Sequence, residues 1–211
     1  MKTLILATVL ALFCIPEHSI YASEGFRLEV NGGITLIGSA QGVLSNWNDG
    51  WTAGTGVAYY LSPAIEIGAN LSYHRFPYQG DNLQLAFPAI VGLRWRVDGN
   101  ATSMYESGVG VRFISLKSFV QPFVSLRGGA YFMSVGDVLV TTWMESVPQN
   151  TSSTLYRGTG ESLTKGFGAI GFGINMPFDS NFQFRVEGRY TTTFDGAQSF
   201  IPLIGTFEFS L

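Results

Sequence analysis

The sequence predicts an all-β fold, an antiparallel up-and-down transmembrane β-barrel, from three observations. Apolar and polar residues alternate along most of the chain, as in strands that have one face in an apolar environment. Charged residues make up only 13% of the 211 residues and hydrophobic residues 46%, whereas soluble domains carry about 25% charged residues. No stretch beyond the N-terminal segment approaches the length of about 18 apolar residues that a transmembrane helix needs. An apolar chain without such a helix can cross a membrane as a closed sheet.

The first 22 residues have the pattern of a secretory signal peptide. Lys2 gives a short positive start, an apolar run extends from Thr3 to Ile15, and a polar stretch ends at Ala22. We expect cleavage after Ala22, which makes 1–22 the signal peptide and 23–211 one barrel domain. The single cysteine, Cys14, lies in the removed segment, so we expect no disulfide in the mature chain.

The first half of the chain contains five alternating segments. Phe26 to Asn31 alternates strictly, and Ile65 to Tyr73 places an apolar residue at every second position. Leu83 to Val97 has a fully apolar face, and its other face includes Gln84. Strands are therefore predicted at 26–38, 52–61, 64–76, 83–97 and 103–115.

The second half contains five more segments of the same kind. Gln121 to Phe132, Phe182 to Phe194 and Phe207 to Leu211 alternate clearly, whereas the segment from 138 to 145 is the weakest. Turn residues such as Asp98-Gly99-Asn100 and Gly136-Asp137 separate the runs. Strands are predicted at 119–133, 138–145, 163–176, 181–194 and 200–211.

The composition of the polar face indicates which face is enclosed. Nearly all charged residues in the predicted strands lie on that face, and Arg75, at a strand end, is the exception. Arginine predominates there over lysine and is accompanied by many glycines. Arginine suits confined ion pairs, and glycine relieves crowding in a narrow interior. We therefore predict lipid on the apolar face and a lumen filled by an ion-pair network of Arg27, Glu29, Glu66, Arg94, Arg96, Glu106, Arg112, Arg127, Arg185, Glu187, Arg189 and Glu208.

Several segments carry a resemblance to a known family. These are Tyr60-Leu61-Ser62-Pro63, the stretch from Gln121 to Gly129, and the closing Phe207-Glu208-Phe209-Ser210-Leu211. With the signal peptide, they make the chain resemble the bacterial outer-membrane β-barrel proteins typified by outer membrane protein A. The resemblance implies location in the outer membrane and insertion by the barrel-assembly machinery. That machinery would read Phe207, Phe209 and the terminal residue, which is Leu211 here in place of the family's aromatic residue.

Two strand counts are compatible with this family. Ten strands, the count we favour, give periplasmic turns at 62–63, 98–102, 134–137 and 177–180, and outer loops at 39–51, 77–82, 116–118, 146–162 and 195–199. The alternative has eight strands, in which 98–118 is one periplasmic connection and 119–145 is a single long strand. We favour ten because the alternative leaves the amphipathic segment from Tyr105 to Phe113 in a loop.

Three functions remain open at this stage. The favoured one is a structural or surface-interaction protein whose outer loops present Trp47, Trp51, Tyr78 and Tyr156, although these aromatic residues could equally anchor at the level of the lipid headgroups. The second is a lipid- or envelope-modifying enzyme at the barrel mouth that uses His74. Ser72 lies two residues away, about 7 Å along the strand, which is long for a direct bond between nucleophile and base. The third is a narrow, arginine-lined pore, which we rank below a filled lumen because side chains fill barrels of this size.

The expected partners follow from the same composition. The net charge of −3 gives no surface that would neutralise a row of phosphates, so nucleic acid is not expected. We expect a monomer in contact with outer-membrane lipid, with outer loops available to an extracellular ligand. No cofactor or metal site is predicted, because the loop aspartates Asp49 and Asp81 lack calcium-loop spacing.

Overall fold

The computed structural model describes residues 25–38, 47–79, 93–116, 119–144, 147–155 and 160–211. No helix in these ranges is long and apolar enough to cross a membrane. The predicted signal peptide and Tyr156 lie outside the described residues. Eleven strands are present in the described ranges, namely β1 Gly25–Ile37, β2 Gly50–Ser62, β3 Ile65–Phe76, β4 Leu93–Gly99, β5 Thr102–Ile114, β6 Gln121–Ser134, β7 Val138–Met144, β8 Val147–Leu155, β9 Ser162–Pro177, β10 Phe182–Thr193 and β11 Ser199–Ser210.

Eight of these strands close into an antiparallel barrel in the order β1-β2-β3-β5-β6-β9-β10-β11, and β11 pairs with β1. The connections after β2, β5 and β9 are short and lie at one end. The other end carries the two longest connections, 77–101 and 135–161. In barrels of this kind the short turns face the periplasm and the long loops face the exterior. The two ends are named accordingly below.

The remaining strands form a separate sheet beyond the outer end of the barrel, with the order β4-β7-β8. This outer sheet continues the hairpin made by β5 and β6. Ser103 pairs with Ser134 at the end of the barrel ladder, and Gly99 pairs with Val138 at the start of the outer one. Between them the Asn100 amide donates to the Asp137 carbonyl at 2.8 Å.

The barrel therefore has the eight strands of the alternative count, and the favoured ten-strand arrangement is wrong. The segments predicted as strands at 83–97 and 138–145 contribute β4 and β7, which pair with each other outside the barrel. The segments 98–102 and 134–137, predicted as periplasmic turns, instead interrupt one long hairpin at the outer end. Leu116, in the predicted outer loop 116–118, follows β5 at the periplasmic end. The eight-strand alternative was wrong in one respect. It made 98–118 a periplasmic connection, whereas most of that segment is β5, a barrel strand.

Side chains alternate across the barrel wall as the strand period requires. In β1, Arg27 and Glu29 point inward and are buried, whereas Phe26 and Val30 point outward and are about half exposed. Outward aromatic residues form a row near the outer end, where ring centroids lie 5.4 Å apart for Trp51 and Tyr73 and 5.1 Å apart for Tyr73 and Tyr105. Such rows mark the membrane interfaces of transmembrane barrels.

The outer end of the barrel interior is apolar. A group of inward side chains, which we call the apolar cap, consists of Phe76, Met104, Tyr131, Met133, Phe167 and Phe200, all at most 1% exposed. Val97, Val138 and Val140 of the outer sheet belong to the same buried cluster. The outer sheet is thus packed directly onto the material that fills the barrel mouth.

Candidate functional site

The periplasmic half of the lumen holds a cluster of two arginines and three glutamates. Arg185 contacts Glu29 and Glu66, each at 3.0 Å, and also contacts Glu208. Arg112 contacts Glu29 at 3.3 Å and Glu208 at 3.6 Å, and it is paired with Glu66 as well. Inward positions on β1, β3, β5, β10 and β11 supply these side chains. The cluster is held by charge-assisted hydrogen bonds, which are the strong kind.

The same cluster is the one place in the described residues where several carboxylates lie together as metal ligands do. Atoms of Glu29, Glu66 and Glu208 lie within 4.8 Å of one another. However, the guanidinium groups of Arg112 and Arg185 already bind these carboxylates, and both stack against the Phe123 ring at 5.4 Å. Two cations in contact with the carboxylates oppose a third, so this arrangement is an ion-pair cluster.

A second polar layer lies between this cluster and the apolar cap. Arg127 pairs with Glu187 at 3.3 Å and donates to the Asn70 side chain at 3.1 Å. Arg189 pairs with Glu106 at 2.8 Å. Glycine makes room for these side chains, because a Cβ at Gly171 would lie 2.3 Å from a Glu187 oxygen. The close approach of Glu187 explains why glycine occupies position 171.

His74 lies at the boundary between this layer and the cap. Its Nδ1 is 3.0 Å from the Thr35 hydroxyl, and its Nε2 is 3.4 Å from a Glu106 carboxylate oxygen. The ring is stacked 6.3 Å from Phe76, and its own exposure is 0%. His74 was expected near an accessible mouth, but the cap lies above it. Ser72 accepts a hydrogen bond from Asn70 at 3.4 Å, and no hydrogen bond joins it to His74 in the described residues.

The periplasmic end of the lumen is closed by arginine and amide groups. Arg27 donates to the Ser180 carbonyl at 3.0 Å and lies over the Tyr60 ring. The Asn175 amide donates to Gln121 at 3.0 Å and to Gln183 at 3.1 Å. The Asn175 bonds join the neighbouring strands β6, β9 and β10, and the Arg27 bond ties the 178–181 turn to the interior.

Ten of the twelve residues predicted to line the lumen are inside the barrel, and Arg94 and Arg96 are not. Both belong to β4 in the outer sheet. Arg96 pairs with Asp98 at 2.9 Å, and its side chain is 71% exposed. The prediction was wrong for these two because β4 alternates like a barrel strand. The residues inside are Arg27, Glu29, Glu66, Glu106, Arg112, Arg127, Arg185, Glu187, Arg189 and Glu208.

Two of the predicted loop aromatic residues, Trp47 and Tyr78, pack inside the protein. Trp47 is buried, donates from Nε1 to the Asn100 carbonyl at 3.0 Å, and contacts the Tyr78 ring at 6.1 Å between centroids. The Tyr78 ring packs on Gly99, where a Cβ would meet it at 2.4 Å. Both residues therefore tie outer connections to the base of the outer sheet. Trp51 belongs to the outward aromatic row.

The C-terminal residues predicted as the assembly signal close the barrel. Phe207 and Phe209 pair with Val30 and Leu28 of β1. The Leu211 amide donates to the Phe26 carbonyl at 3.0 Å. Their recognition during assembly stays a prediction.

Sequence reasoning missed the apolar cap and one exposed ion pair. The available signal for the cap was the appearance of apolar residues, such as Phe76 and Phe200, at inward positions near the outer strand ends.

The exposed pair joins Lys165 of β9 to Asp195 in the β10–β11 connection. The hydrogen bond from Lys165 holds the pKa of Asp195 below its usual range.

Comparisons with known proteins agree with this architecture. Residues 5–209 match the family described as outer membrane protein beta-barrel domain. A comparison with curated proteins gives no match. Neisserial surface protein A (NspA) has a similar structure with 11% identity, covering 89% of this chain and 97% of that chain at a TM-score of 0.52.

Two further structures are similar at lower scores. Ail, the attachment invasion locus protein of Yersinia pestis, shares 14% identity over 89% of this chain and 100% of that one, with a TM-score of 0.49. OprG from Pseudomonas aeruginosa shares 8% identity over 90% of this chain and 99% of that one, with a TM-score of 0.49. At these identities the likeness is one of fold.

Proposed function

Because the chain belongs to the outer membrane β-barrel family and is a bacterial outer-membrane protein, we propose that its barrel is a sealed anchor and that its outer sheet binds other molecules at the cell surface. The observation that carries the proposal is the folding of two outer connections into an ordered sheet on top of the barrel. Disordered loops would lose more conformational entropy when they bind a partner, which would weaken binding.

The packing of the outer sheet supports a binding role. Its inner face is fixed by Val97, Val138 and Val140, which are buried in the apolar cluster. Its opposite face carries Arg96 and Thr141, which are direct cross-strand neighbours. The arginine and the partly exposed aromatic ring of Trp143 on this face are residue types that are enriched at protein interfaces.

The filling of the lumen weighs against the pore. The ion-pair layers and the apolar cap occupy the interior in succession, and the cavity beside Arg112 and Arg127 holds only about 10 Å³, the space of about one water molecule. A conducting path needs continuous room for hydrated ions. We therefore propose an anchor rather than a channel.

The burial of His74 weighs against the enzyme. A catalytic base must reach its substrate within hydrogen-bond distance, and the cap separates this ring from the exterior. The Thr35 hydroxyl is hydrogen-bonded to Nδ1 and the Glu106 carboxylate lies 3.4 Å from Nε2, so both ring nitrogens face groups of the barrel interior. This makes the enzymatic alternative the weaker one.

The test compares cells that express the full chain with cells that express a variant lacking the outer sheet. In the variant, residues 94–98 and 139–154 are each replaced by a short glycine-serine turn, and the barrel strands are kept. Binding is measured on a glycan array and on a panel of immobilised purified proteins. We expect the full chain to bind a restricted set of probes and the variant to lose that binding.

Barrel integrity is checked separately by heat-modifiable migration on unboiled gels. A folded variant that retains the same binding would contradict the proposal. So would a full chain that binds no probe and gives steady single-channel currents in planar bilayers. The replacement Arg96→Ser alone serves as a milder variant, which we expect to weaken binding without affecting the barrel.

A further inference from the structure

Two pairs of chain segments leave the outer end of the barrel side by side. One pair, which we call the neck, consists of residues 100–101 and 135–137. It continues the β5–β6 ladder and leads into the outer sheet. The other pair, which we call the strap, consists of residues 47–48 and 77–78 and continues the β2–β3 ladder outward. Because β3 pairs with β5 in the barrel wall, the strap and the neck are neighbours.

The strap is an ordered pair of segments. Trp47 and Tyr78 form an antiparallel bridge, and the Asn48 amide donates to the Pro77 carbonyl at 2.8 Å. The Trp47 and Tyr78 rings meet edge to face. Trp47 is only 4% exposed and belongs to the same buried cluster as the apolar cap. The strap is therefore packed against the rest of the outer end.

The strap contacts the neck and the strand above it at two points. The Trp47 indole Nε1 donates to the Asn100 carbonyl at 3.0 Å. The Tyr78 ring lies on Gly99, and a Cβ at Gly136 would lie only 2.1 Å from the Asn100 carbonyl oxygen. Glycine at positions 99 and 136 therefore allows the strap and both segments of the neck to pack closely together.

The neck alone gives the outer sheet little support. Within the described part of the chain, β4, β7 and β8 pair only with one another, and a two-stranded ribbon is marginally stable by itself. Burial of Val97, Val138 and Val140 against the apolar cap favours contact, but the hydrophobic effect is non-directional. A hydrogen bond is directional. The bond from Trp47 to the neck can therefore fix an orientation that apolar contact leaves free.

We propose that Trp47 and Tyr78 are positioning residues, which hold the outer sheet in one orientation over the barrel mouth, and that binding by the outer sheet requires this orientation. The second part rests on the proposed function, whereas the first part does not. Without the strap, the outer sheet tilts about the neck and adopts the binding orientation for only part of the time. Apparent affinity then falls in proportion to that fraction.

The first measurement is the distance between two spin labels on the full chain in lipid nanodiscs, by double electron–electron resonance. Labels are attached at Thr154→Cys in the outer sheet and Ser162→Cys at the outer end of β9, which are both exposed positions. The only native cysteine, Cys14, lies in the predicted signal peptide. We expect one narrow distance distribution. Trp47→Ala should widen it and add distances outside the original range.

Three further variants sharpen this measurement. Gly99→Ala should also widen the distribution, because the added Cβ displaces the Tyr78 ring. Trp47→Phe keeps a ring but removes the donor to Asn100, so it should give an intermediate width. The matched control is Tyr105→Ala, which removes an aromatic ring of the outward row on β5 and should leave the distribution unchanged. Heat-modifiable migration confirms that each variant is folded.

The second measurement is the affinity of the unlabelled variants for the glycans or purified proteins that the wild-type chain binds. Trp47→Ala should weaken binding about tenfold, which corresponds to a binding orientation adopted about a tenth of the time. Tyr105→Ala should bind as the wild-type chain does.

The outcomes separate the two parts of the proposal. A distance distribution in folded Trp47→Ala that is as narrow as in the wild-type chain would overturn the positioning role. A widened distribution with undiminished affinity would overturn the requirement for one orientation. A wild-type chain that binds no probe would contradict the proposed function and that requirement together, whereas the distances would still decide the positioning role.

Discussion

The periplasmic and outer portions of the lumen are filled by opposite kinds of side chain. The former contains five arginines and five glutamates arranged in layers, and the latter contains the apolar cap of phenylalanine, methionine and tyrosine. Both sets occupy inward positions, and β3, β5, β6 and β11 contribute to both. In this barrel, an inward position encloses a side chain in the lumen, but the position along the strand determines whether that side chain is charged or apolar.

The two portions also differ in how they hold the barrel together. An ion-pair layer depends on the identity of every partner, because a buried charge without a counter-charge is costly. An apolar cluster depends on volume, so a neighbouring side chain can partly fill a gap. Substitutions in the two portions should therefore differ in how much stability they remove and in which second substitution restores it.

The largest effect is expected for Arg185→Met in the ion-pair cluster. Its removal leaves Glu29, Glu66 and Glu208 with only Arg112, so the free energy of unfolding should fall by about 3–5 kcal/mol. Urea unfolding of the chain in lipid vesicles measures this loss. The exposed control Arg96→Met should change it by less than about 0.5 kcal/mol.

A second substitution tests whether the loss comes from uncompensated charge. Adding Glu208→Gln to Arg185→Met removes one of the stranded carboxylates and should recover part of the stability. If the double variant is less stable than Arg185→Met alone, charge balance does not govern this layer.

A smaller effect is expected for Met104→Ala in the apolar cap. The free energy of unfolding should fall by about 2–3 kcal/mol, at the low end for such a change, because the neighbouring Met133 can shift into the space. No steady single-channel current should appear in planar bilayers, since the ion-pair layers still fill the lumen below. Steady currents from this variant would show that the cap alone seals the barrel.

The polar portion of the lumen was more predictable from sequence than the apolar portion. Period-two alternation identifies inward positions, so Glu29, Arg112 and Arg185 could be assigned to the interior without knowledge of their partners. Alternation does not show how far along the barrel axis a residue lies. Apolar residues such as Met104 and Phe200 were therefore not recognised as interior. The pairing of particular arginines with particular glutamates also depends on barrel closure, which joins residues far apart in the chain.

The outer sheet shows a different limit of the sequence. Arg94 and Arg96 alternate with apolar residues as a barrel strand does, because a strand packed on a cap has the same period as a strand facing lipid. Glycine and aspartate at 98–99 and 136–137 indicate an interruption of the strands. These residues do not show whether the chain turns back into the barrel or extends the hairpin into the outer sheet. The number of barrel strands depends on which of the two occurs.

An intermediate case is His74, which lies where the two portions meet. His74→Ala should lower the free energy of unfolding by about 1–3 kcal/mol, because it leaves a buried carboxylate oxygen of Glu106 and the Thr35 hydroxyl without their neighbour. Hydrolysis of membrane phospholipids by cells that express the variant should equal that of cells that express the wild-type chain. A loss of lipid hydrolysis in the folded variant would instead favour the enzymatic alternative.

The smallest effect is expected outside the lumen, at the pair of Lys165 and Asp195. The hydrogen bond from Lys165 keeps the folded pKa of Asp195 below its usual value, which is about 3.9 in unstructured peptides. Because the folded pKa is the lower one, the pair contributes stability above about pH 4 and loses it as the pH falls through the folded pKa. Water screens this exposed pair, so its contribution should be too small to appear in unfolding curves at neutral pH.

The measurement for this pair is an NMR titration of the Asp195 carboxyl group. Lys165→Met should raise the Asp195 pKa toward its usual value, and the amide of Ala197, which donates to Asp195 at 3.2 Å, should keep it from rising fully. Arg96→Met is the control, since it removes a distant exposed charge and should leave the Asp195 pKa unchanged. If Lys165→Met also lowered stability at neutral pH as much as Arg185→Met, enclosure would not be the source of the difference between exposed and lumenal ion pairs.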